Sequence, residues 1–477
     1  MKYINPIVKQ DMSDPDVIKY KDGYLMVTSS FNFVPGLPLY YSKDLINWKF
    51  VQYIVKRLPT KKFNNVHFGH GIWAPSIRIH KDKIYVLLPF PDEGIYVCSC
   101  KDPFKKWSKP RRLLKVKGFE DPCPIWFDDK AYIVHAFVKS RIGFNSKLAI
   151  FEADENLKKV TSNSKIIYDG TVDNKTIEGP KFNIINDELF ILAPAGGVEN
   201  GYQVALKSNN IYGPYEYKII LKGYEDTING PHQGALVEYE KDKFVFYHFQ
   251  EKGALGRILH IQEARIIDGY PIVGKIREDN IGSPEIEHKY YLKKHTFSKN
   301  DNRFSIGDFL NDFTYPCNKV KNSYFIDNAF NLNALYSKSI LKNRNSIYKA
   351  IPSEKFYFVS YLSFATLKED EEAGVIILGL KSHLLKYKDG KFYLIELDIE
   401  SNKSKILYEK RALKKEYIIK VKVNDLKASF YIDNRKIGEL YNVSKGKWVG
   451  AKIGIFARSN NKKEECGFLK IHSSYIK

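Results

Sequence analysis

Hydrophobic and polar positions alternate along the chain in short runs, and five stretches repeat one pattern. In each stretch an apolar segment of strand length is followed by a polar turn of about two residues and then by an aromatic-rich apolar segment. The five stretches begin at Asp14, Ala74, Asp121, Glu178 and His232. Alternation with a period of two, interrupted by turns such as Asp-Gly or Asn-Asp, is typical of β-hairpins. The pattern therefore predicts five repeated hairpins.

The spacing of the repeats predicts how the hairpins are arranged. Successive repeats start about 47 to 60 residues apart, which is enough chain for a four-stranded blade. Blades of this kind arrange radially around a channel. We therefore expect an all-β protein with a five-bladed β-propeller over residues 1–290. A β-sandwich that happens to contain five similar hairpins is the alternative.

Acidic residues recur at the start of these repeats. Asp14, Asp121 and Glu178 each open a unit. A single Asp before Pro is usually a turn residue, but three acids at the start of three different repeats are better explained by one shared pocket. If the opening strands are innermost, the three carboxyl groups meet at one mouth of the channel. Like charges raise one another's pKa, so at least one group should hold its proton near neutrality. This combination suits general acid and general base catalysis.

The last third of the chain has a different pattern. Short alternating apolar segments, for example residues 356–362, 374–378 and 450–457, are separated by turns such as residues 388–391. Such a pattern is typical of a β-sandwich. We expect a second domain over residues 303–477, joined to the propeller by a polar connection near residues 273–302. This domain could bind carbohydrate, but we expect it to pack on the propeller and close one wall of the pocket.

Composition and charge narrow the function classes. Of 477 residues, 44% are hydrophobic, 27% charged and 14% aromatic, which fits two folded domains and excludes a disordered chain. The formal net charge is +21. A nucleic-acid binder gathers its Lys and Arg on one face, whereas here they form scattered doublets such as residues 61–62 and 111–112. We therefore expect a Lys-rich solvated surface and no nucleic-acid partner. A basic face assembled by folding is the alternative.

The cysteines and the first residues of the chain indicate the cellular compartment in which the protein is expected. The five cysteines form no CxxC pair, so they predict neither a disulfide framework nor a zinc site. No apolar stretch reaches the roughly 18 to 20 residues that a membrane span needs, so no membrane association is expected. The first residues lack the apolar core and cleavage site of a secretory signal. The expectation is a cytoplasmic protein, or a secreted one if a signal was removed.

Several motifs in order give the sequence a specific resemblance. They are Asp-Pro-Asp-Val-Ile at 14–18, Gly-Ile-Trp-Ala-Pro-Ser at 71–76, Ile-Glu-Gly-Pro at 177–180, Gly-Pro-His-Gln-Gly at 230–234 and His-Phe-Gln-Glu-Lys-Gly at 248–253. With them the chain resembles glycoside hydrolase family 43, the five-bladed-propeller β-xylosidases and α-L-arabinofuranosidases. The resemblance covers residues 1–290, and the remainder is similar to the concanavalin-like β-sandwich of the longer members.

The resemblance implies catalytic roles for the three acids. Asp14 is implied to be the general base that activates water, and Glu178 the general acid that protonates the glycosidic oxygen. Asp121 is implied to tune the pKa of the acid and to orient it. Members of the family invert the anomeric centre, which requires two carboxyl groups about 6.5 to 9.5 Å apart.

The resemblance also implies substrate-binding residues. Phe31 and Trp73 are similar to the aromatic walls around the terminal sugar, and Arg257 to a residue that hydrogen-bonds sugar hydroxyls. His232 is similar to a histidine near the channel axis that helps to hold a calcium or other ion through water. A purely structural histidine is the alternative there. Phe33 stands where many relatives have Trp, which implies a smaller apolar wall.

Together these observations predict an exo-acting, inverting glycoside hydrolase. Its expected partners are xylo- or arabino-oligosaccharides derived from hemicellulose, from which it removes terminal β-D-xylose, α-L-arabinofuranose or both. No cofactor is expected to be required, while a structural Ca²⁺ ion and a homo-oligomer stay open. The alternative is a propeller that binds glycans without hydrolysing them.

Overall fold

The computed structural model describes residues 2–224, 229–289, 304–319, 323–326, 328–462 and 464–477. Within these residues the chain forms 39 strands. The helical segments are short: the 3₁₀ turns Lys61–Asn64, Gly253–Leu255 and Ile340–Lys342, and the α-helix Lys139–Ile142. No helix in this part of the chain is long and apolar enough to cross a bilayer.

After strand β1 (Lys2–Ile4), the propeller consists of five four-stranded antiparallel sheets, each formed by four consecutive strands. The first two blades are β2 Asp16–Tyr20, β3 Gly23–Val27, β4 Gly36–Ser42 and β5 Lys49–Val55, then β6 Ser76–His80, β7 Lys83–Phe90, β8 Gly94–Cys100 and β9 Arg111–Leu114. The third and fourth are β10 Phe119–Phe127, β11 Lys130–Phe137, β12 Lys147–Asp154 and β13 Lys165–Asp169, then β14 Lys181–Ile185, β15 Glu188–Ala195, β16 Tyr202–Ser208 and β17 Glu216–Lys222. The fifth is β18 His232–Glu240, β19 Lys243–Glu251, β20 Arg257–Ile267 and β21 Tyr270–Val273.

The opening strands of the blades surround the central channel. Strand β2 contacts β6, β6 contacts β10, and β10 contacts β14, while β18 returns to contact β2 and closes the ring. The hairpins that the sequence pattern predicted are therefore the two inner strands of each blade. The predicted five-bladed propeller is confirmed.

A buried ion cluster links three blades inside the channel. Asp16 is fully buried, and its carboxylate accepts hydrogen bonds from the Arg78 guanidinium at 2.7 Å and from the Ile77 amide at 2.8 Å. The Lys181 ammonium lies 3.8 Å from the same oxygen. Because Asp16, Arg78 and Lys181 belong to the first, second and fourth blades, this carboxylate ties inner strands together across the channel axis.

Short strands lead out of the fifth blade. They are β22 Lys275–Ile276, β23 Gly282–Ser283 and β24 Glu287–Lys289, and β24 pairs with β1 at the chain start. The predicted polar connection near 273–302 therefore contains paired strands up to residue 289. Its remainder, residues 290–303, lies outside the described residues. The domain bounds 1–290 and 303–477 stay a prediction.

The second domain is a sandwich of two mainly antiparallel sheets. One contains β25 Gly307–Asp308, β26 Ser323–Ile326, β27 Ala329–Asn333, β30 Phe356–Ser363, β35 Glu416–Asn424, β36 Lys427–Ile432, β37 Arg435–Asn442 and β39 Phe468–Ile476. The other contains β28 Leu335–Tyr336, β29 Ser346–Ala350, β31 Glu371–Leu378, β32 Lys381–Lys388, β33 Lys391–Asp398, β34 Ser404–Arg411 and β38 Lys452–Ser459. Phe358, Val375 and Ile455 belong to the buried apolar core between the sheets, which confirms the predicted sandwich.

The sandwich packs directly on the propeller. Val34 and Tyr315 exchange backbone hydrogen bonds of 2.9 and 2.6 Å, and the Ala451 amide donates to the Ala254 carbonyl at 2.7 Å. The backbones of Gly256 and Gly450 also lie close together, since a Cβ on Gly256 would stand 2.4 Å from the Gly450 nitrogen. Two glycines are therefore required where the second domain meets the start of β20.

Replacing Asp16 by alanine should destabilise the propeller strongly. Arg78 and Lys181 would then be largely buried cations without their carboxylate, a situation that costs about 3 to 5 kcal/mol. Urea unfolding measures the loss. The control is Asp22→Ala, which removes an exposed ion pair with Lys43 and should change stability little. Similar midpoint shifts for both variants would contradict a role of Asp16 in joining the blades.

Candidate active site

One cavity of about 320 Å³ opens at a mouth of the propeller channel. Its volume is at the lower end of the range for small-ligand pockets. Six of the seven predicted site residues line it: Asp14, Phe31, Trp73, Asp121, Glu178 and Arg257. His232 lies just behind this lining and is 1% exposed. The structure therefore brings together side chains from all five blades.

The backbone near the start of each inner hairpin directs the acids into the cavity. Asp14 and Asp121 have left-handed conformations, with φ of 57° and 53°, an uncommon and strained geometry for residues other than glycine. In the fourth blade Gly179 has this conformation, with φ of 57°. The strand pairing places Asp14, Asp121 and Gly179 at equivalent positions, two residues before Asp16, Cys123 and Lys181.

Glu178 therefore differs from the sequence expectation in its register. It lies one residue before the position that Asp14 and Asp121 occupy, rather than at that position. Gly179 supplies the left-handed turn in its blade, and a glutamate side chain is one methylene longer than that of aspartate. Both features explain how Glu178 reaches the same cavity from a different register.

Asp14 is held as one half of a buried ion pair. The Arg257 guanidinium donates a 2.8 Å hydrogen bond to one carboxylate oxygen of Asp14, and the Ser29 hydroxyl donates to the other. Both Asp14 and Arg257 are buried. Charge-assisted hydrogen bonds of this kind stabilise a carboxylate in its negative form. Asp14 is therefore held in a fixed orientation beside a cation.

Asp121 receives hydrogen bonds but lies among other acids. The Gly179 amide donates to its carboxylate at 2.7 Å, and the Gln233 side chain is a further partner. Burial, and then the nearby charge of Asp14, raise the pKa of Asp121 to about 6 against these hydrogen bonds. Near neutrality Asp121 is consequently mostly ionised.

Glu178 keeps its proton at neutral pH. Burial and the charge of Asp121 raise the pKa of Glu178 to about 8, although the Arg257 guanidinium acts in the opposite direction. Its side chain is 33% exposed, and this exposure faces the cavity. At neutral pH the cavity thus holds a protonated carboxyl group together with an ion-paired carboxylate, which is the division that acid–base catalysis needs.

Aromatic rings form part of the cavity wall. The Phe31 and Trp73 rings are tilted to each other with centroids 6.3 Å apart, and the Arg141 guanidinium lies 5.4 Å from the Trp73 ring. Gly71 makes this wall compact, since a Cβ there would stand 2.1 Å from the Phe31 carbonyl oxygen. Trp448 adds an aromatic side chain from the sandwich domain. The second domain therefore does contribute to a wall of the pocket.

His232 is a buried neutral histidine. Its Nε2 lies 3.4 Å from a Glu178 carboxyl oxygen, and burial with the nearby Arg257 charge lowers its pKa to about 3. Neither ring nitrogen has a hydrogen-bond partner among the described residues. No cluster of three His, Cys, Asp or Glu side chains suited to a metal ion occurs in the same part of the chain. The two bare nitrogens fit a bridging water, so His232 could hold an ion only indirectly.

Phe33 does not line this cavity, and the expectation that it forms a wall there is wrong. It is 5% exposed and packs between the domains against Phe68, Tyr348 and Lys452. The turn after Phe31 directs it to the sandwich domain. The identity of Phe33 therefore does not set the size of the cavity.

Several lining residues were missed at the level of sequence. Glu120, Thr176 and Gln233 lie beside predicted acids or His232 in sequence, so adjacency was an available signal. Asn145 and Trp448 come from a loop and from the other domain. No repeat pattern marks those two, so their place in the site needed the tertiary structure.

Comparison with known proteins finds matches to both domains of the chain. Residues 3–271 match the family described as glycosyl hydrolases family 43, and residues 327–468 match the β-xylosidase C-terminal concanavalin A-like domain. The chain is 37% identical over 275 residues to a putative β-xylosidase of Xylanibacter ruminicola, covering 57% of this chain and 51% of that protein. It is 26% identical over 540 residues to a β-xylosidase of Formosa agariphila, and this match covers 98% of this chain and 89% of that protein.

A solved structure shows the same two-domain fold. The crystal structure of a xylan β-1,4-xylosidase from Bacillus halodurans C-125 superposes with a TM-score of 0.84 and covers 99% of each chain. The sequences are 19% identical, so this likeness concerns the fold alone. The first relative above is matched over only about half of its length, whereas the second is matched over most of it.

Replacing Asp121 by asparagine should lower the pKa of Glu178 from about 8. The variant keeps the side-chain shape but removes the negative charge that disfavours ionisation of Glu178. Carboxyl-carbon NMR with labelled glutamate measures this pKa, with Glu178→Gln identifying the signal. The exposed Asp242→Asn serves as the control. An unchanged Glu178 pKa in Asp121→Asn would show that Asp121 does not tune the acid.

Proposed function

The chain belongs to glycosyl hydrolases family 43, and on that premise we propose that it is an exo-acting, inverting glycoside hydrolase. Its proposed substrates are hemicellulose-derived oligosaccharides that end in β-D-xylose, α-L-arabinofuranose or both. The proposal depends on one observation: the cavity holds two carboxyl groups in different environments. Glu178 has a pKa of about 8, whereas Asp14 is ion-paired to Arg257.

Glu178 is the proposed general acid. Breaking a glycosidic bond leaves an alkoxide, which departs readily only if it is protonated as the bond breaks. A carboxyl group with a pKa of about 8 is protonated at neutral pH and still able to give its proton away. The nearby His232, with its pKa lowered to about 3, adds no competing positive charge.

Asp14 is the proposed general base. In an inverting reaction a water molecule attacks the anomeric carbon from the face opposite the leaving group, and a carboxylate removes its proton. The hydrogen bonds from Arg257 and Ser29 hold the Asp14 carboxylate in a fixed orientation. The same Arg257 side chain lines the cavity and is positioned to meet sugar hydroxyls.

Asp121 is proposed to act on Glu178 rather than on the substrate bond. Its charge raises the pKa of Glu178, and its bond from the Gly179 amide fixes the backbone next to Glu178. One residue thus helps both to keep the acid protonated and to orient it.

The lining and size of the cavity support the proposed exo mode of action. The Phe31 and Trp73 rings line one wall, Trp448 approaches from the sandwich domain, and the volume is about 320 Å³. A cavity of this size accommodates a terminal sugar rather than the middle of a polysaccharide. A protonated carboxyl group and an ion-paired carboxylate in one cavity are what acid–base catalysis requires, so we favour the enzyme over a propeller that only binds glycans.

The carboxyl groups supply the proposed acid–base chemistry without a metal ion. If Ca²⁺ is present, His232 would hold it through a water molecule, and its effect would be structural. Ca²⁺ prefers six to eight oxygen ligands, so most of its coordination would come from water.

The proposed function is tested with 4-nitrophenyl β-D-xyloside and 4-nitrophenyl α-L-arabinofuranoside. We expect release of nitrophenol from at least one of them, and their kcat/KM ratio assigns the preferred sugar. The assay is run after treatment with a chelator and again with Ca²⁺ restored. Inactivity on both substrates would contradict the hydrolase assignment, and activity only with Ca²⁺ would contradict a metal-independent reaction.

Glu178→Gln and Asp14→Asn should respond differently to the leaving group. A dinitrophenolate departs without protonation, whereas a sugar alkoxide needs the acid, whose help typically contributes about 10²- to 10⁴-fold. Glu178→Gln should therefore lose far more activity on xylobiose or an arabino-oligosaccharide than on a dinitrophenyl glycoside. Asp14→Asn should lose activity on both, because water must be activated in either case. Equal losses for Glu178→Gln on the two substrates would exclude it as proton donor.

The first sugar released should have the inverted anomeric configuration. Asp14 is proposed to activate water and not to form a bond to the sugar, so no covalent intermediate is expected. Proton NMR of the reaction, recorded before mutarotation, identifies the anomer. Initial retention of configuration would contradict the assignment of Asp14 as the base.

A further inference from the structure

A fourth carboxyl group lines the cavity without an assigned role. Glu120 is 7% exposed and borders the same space as Asp14, Asp121 and Glu178. No hydrogen bond or ion pair reaches its side chain from any residue that the structure describes. Burying a carboxyl group without a partner is costly, so a polar group that enters the cavity is the natural partner.

Glu120 occupies the same blade position as Glu178. Asp16, Ser76, Cys123, Lys181 and Ala235 are equivalent in the pairing of the five inner hairpins. The residue three places before each of them is here called the rim position. Its five occupants are Ser13, Trp73, Glu120, Glu178 and His232. Trp73 and Glu178 already line the cavity from this position, so the fold directs the Glu120 side chain to where a bound sugar would lie.

A backbone irregularity lets both Glu120 and Asp121 face the cavity. Successive side chains of a regular strand point to opposite sides. Here the pairing of β10 with β11 shifts between Glu120 and Cys123, and Asp121 has a φ of 53°. Such a bulge re-aims a side chain next to a functional site. Without it, only one of the two acids would reach the substrate.

The surrounding charges favour the neutral form of Glu120. Burial raises its pKa well above the ordinary value, and the carboxyl groups of Asp121, Glu178 and Asp14 act in the same direction. The Arg141 guanidinium opposes them. A neutral carboxyl group offers one O–H donor and a carbonyl acceptor, which together match the donor and acceptor properties of a sugar hydroxyl.

We propose that Glu120 is a substrate-binding residue whose carboxyl group hydrogen-bonds a hydroxyl of the terminal sugar. This inference rests on the proposed function, because it assigns a specificity contact within the same cavity. The competing role is a purely electrostatic one, in which Glu120 only adjusts its acidic neighbours. That role would affect every substrate equally, whereas a hydrogen bond depends on one particular hydroxyl.

The test combines two variants of similar size with substrates that lack single hydroxyls. Glu120→Gln keeps a donor and an acceptor, whereas Glu120→Met keeps the volume but forms no such bond. Each is assayed with the preferred 4-nitrophenyl pentoside and with its monodeoxy analogues. On the parent substrate we expect Glu120→Met to lose roughly 10- to 100-fold in kcat/KM, and Glu120→Gln to lose less. For one analogue, the kcat/KM values of wild type and Glu120→Met should become nearly equal, because the partner hydroxyl is already absent from that substrate.

Control measurements separate this contact from a disturbed fold. Ala136 pairs with Glu120 on the neighbouring strand, and its side chain does not line the cavity. The variant Ala136→Gly should therefore keep the wild-type discrimination among deoxy analogues. Circular dichroism and thermal unfolding report on folding, and Glu120→Ala replaces Glu120→Met if the latter does not fold. Equal losses on the parent and on every analogue would overturn the proposal.

The pH dependence gives an independent readout. If Glu120 is neutral in the working enzyme, Glu120→Gln should leave the basic limb of the kcat/KM profile in place. If Glu120 is ionised, the substitution would remove a negative charge beside Glu178 and move that limb to lower pH, which would contradict the neutral form assigned to Glu120 and the donor role that this form supplies.

A failure of the proposed function would be recognised separately. If wild type hydrolyses neither aryl pentoside, calorimetric binding of xylose and arabinose to wild type, Glu120→Gln and Glu120→Met replaces the kinetic test. Weaker binding by Glu120→Met than by Glu120→Gln would support the Glu120 contact although hydrolysis had failed. Equal binding by both variants, or no binding to wild type, would overturn it.

Discussion

Negative charge crowded into one largely buried cavity is the constraint on which the rest of the structure depends. Asp14, Asp121, Glu178 and Glu120 all line it, and they cannot all be ionised at moderate pH. Arg257 pairs with Asp14 at 2.8 Å, whereas burial and then the charge of Asp121 raise the pKa of Glu178 to about 8. The propeller brings these carboxyl groups together, because its inner strands deliver one or two side chains per blade to the same mouth of the channel.

The second domain helps to hold the cation that balances this charge. Arg257 follows the turn Gly253–Leu255, whose backbone contacts Gly450 and Ala451 of the sandwich. The Arg257 amide donates to Asp11 at 3.0 Å, and the charge of Lys452 from the sandwich opposes the effect of burial, which raises the pKa of Asp11. The sandwich thus supports the active site through the backbone that positions Arg257, in addition to supplying Trp448.

Local patterns in the sequence were sufficient to predict the fold and the three acids, because hairpin alternation and turn residues recur in every blade. They were not sufficient to predict the register of each acid within its blade. Glu178 was expected at the position of Asp14, whereas Gly179 occupies it. The bulge that turns Glu120 into the cavity depends on the pairing of two strands. Trp448 reaches the cavity from 200 residues beyond His248, which belongs to the last motif of the propeller. The position of Phe33 was predicted wrongly because this side chain packs against the sandwich domain, a contact that no local pattern shows.

The most direct test of the account is the pH dependence of kcat/KM, measured for wild type and for Glu178→Gln on xylobiose or an arabino-oligosaccharide, whose sugar alkoxide leaving group needs the acid. In the wild type, activity should fall along a basic limb near pH 8, where Glu178 loses its proton. In Glu178→Gln this limb should disappear while an acidic limb remains. A basic limb that persists unchanged in the variant, or a wild-type profile that stays flat through pH 8, would contradict the claim that burial and the neighbouring carboxylates hold Glu178 protonated as the catalytic acid.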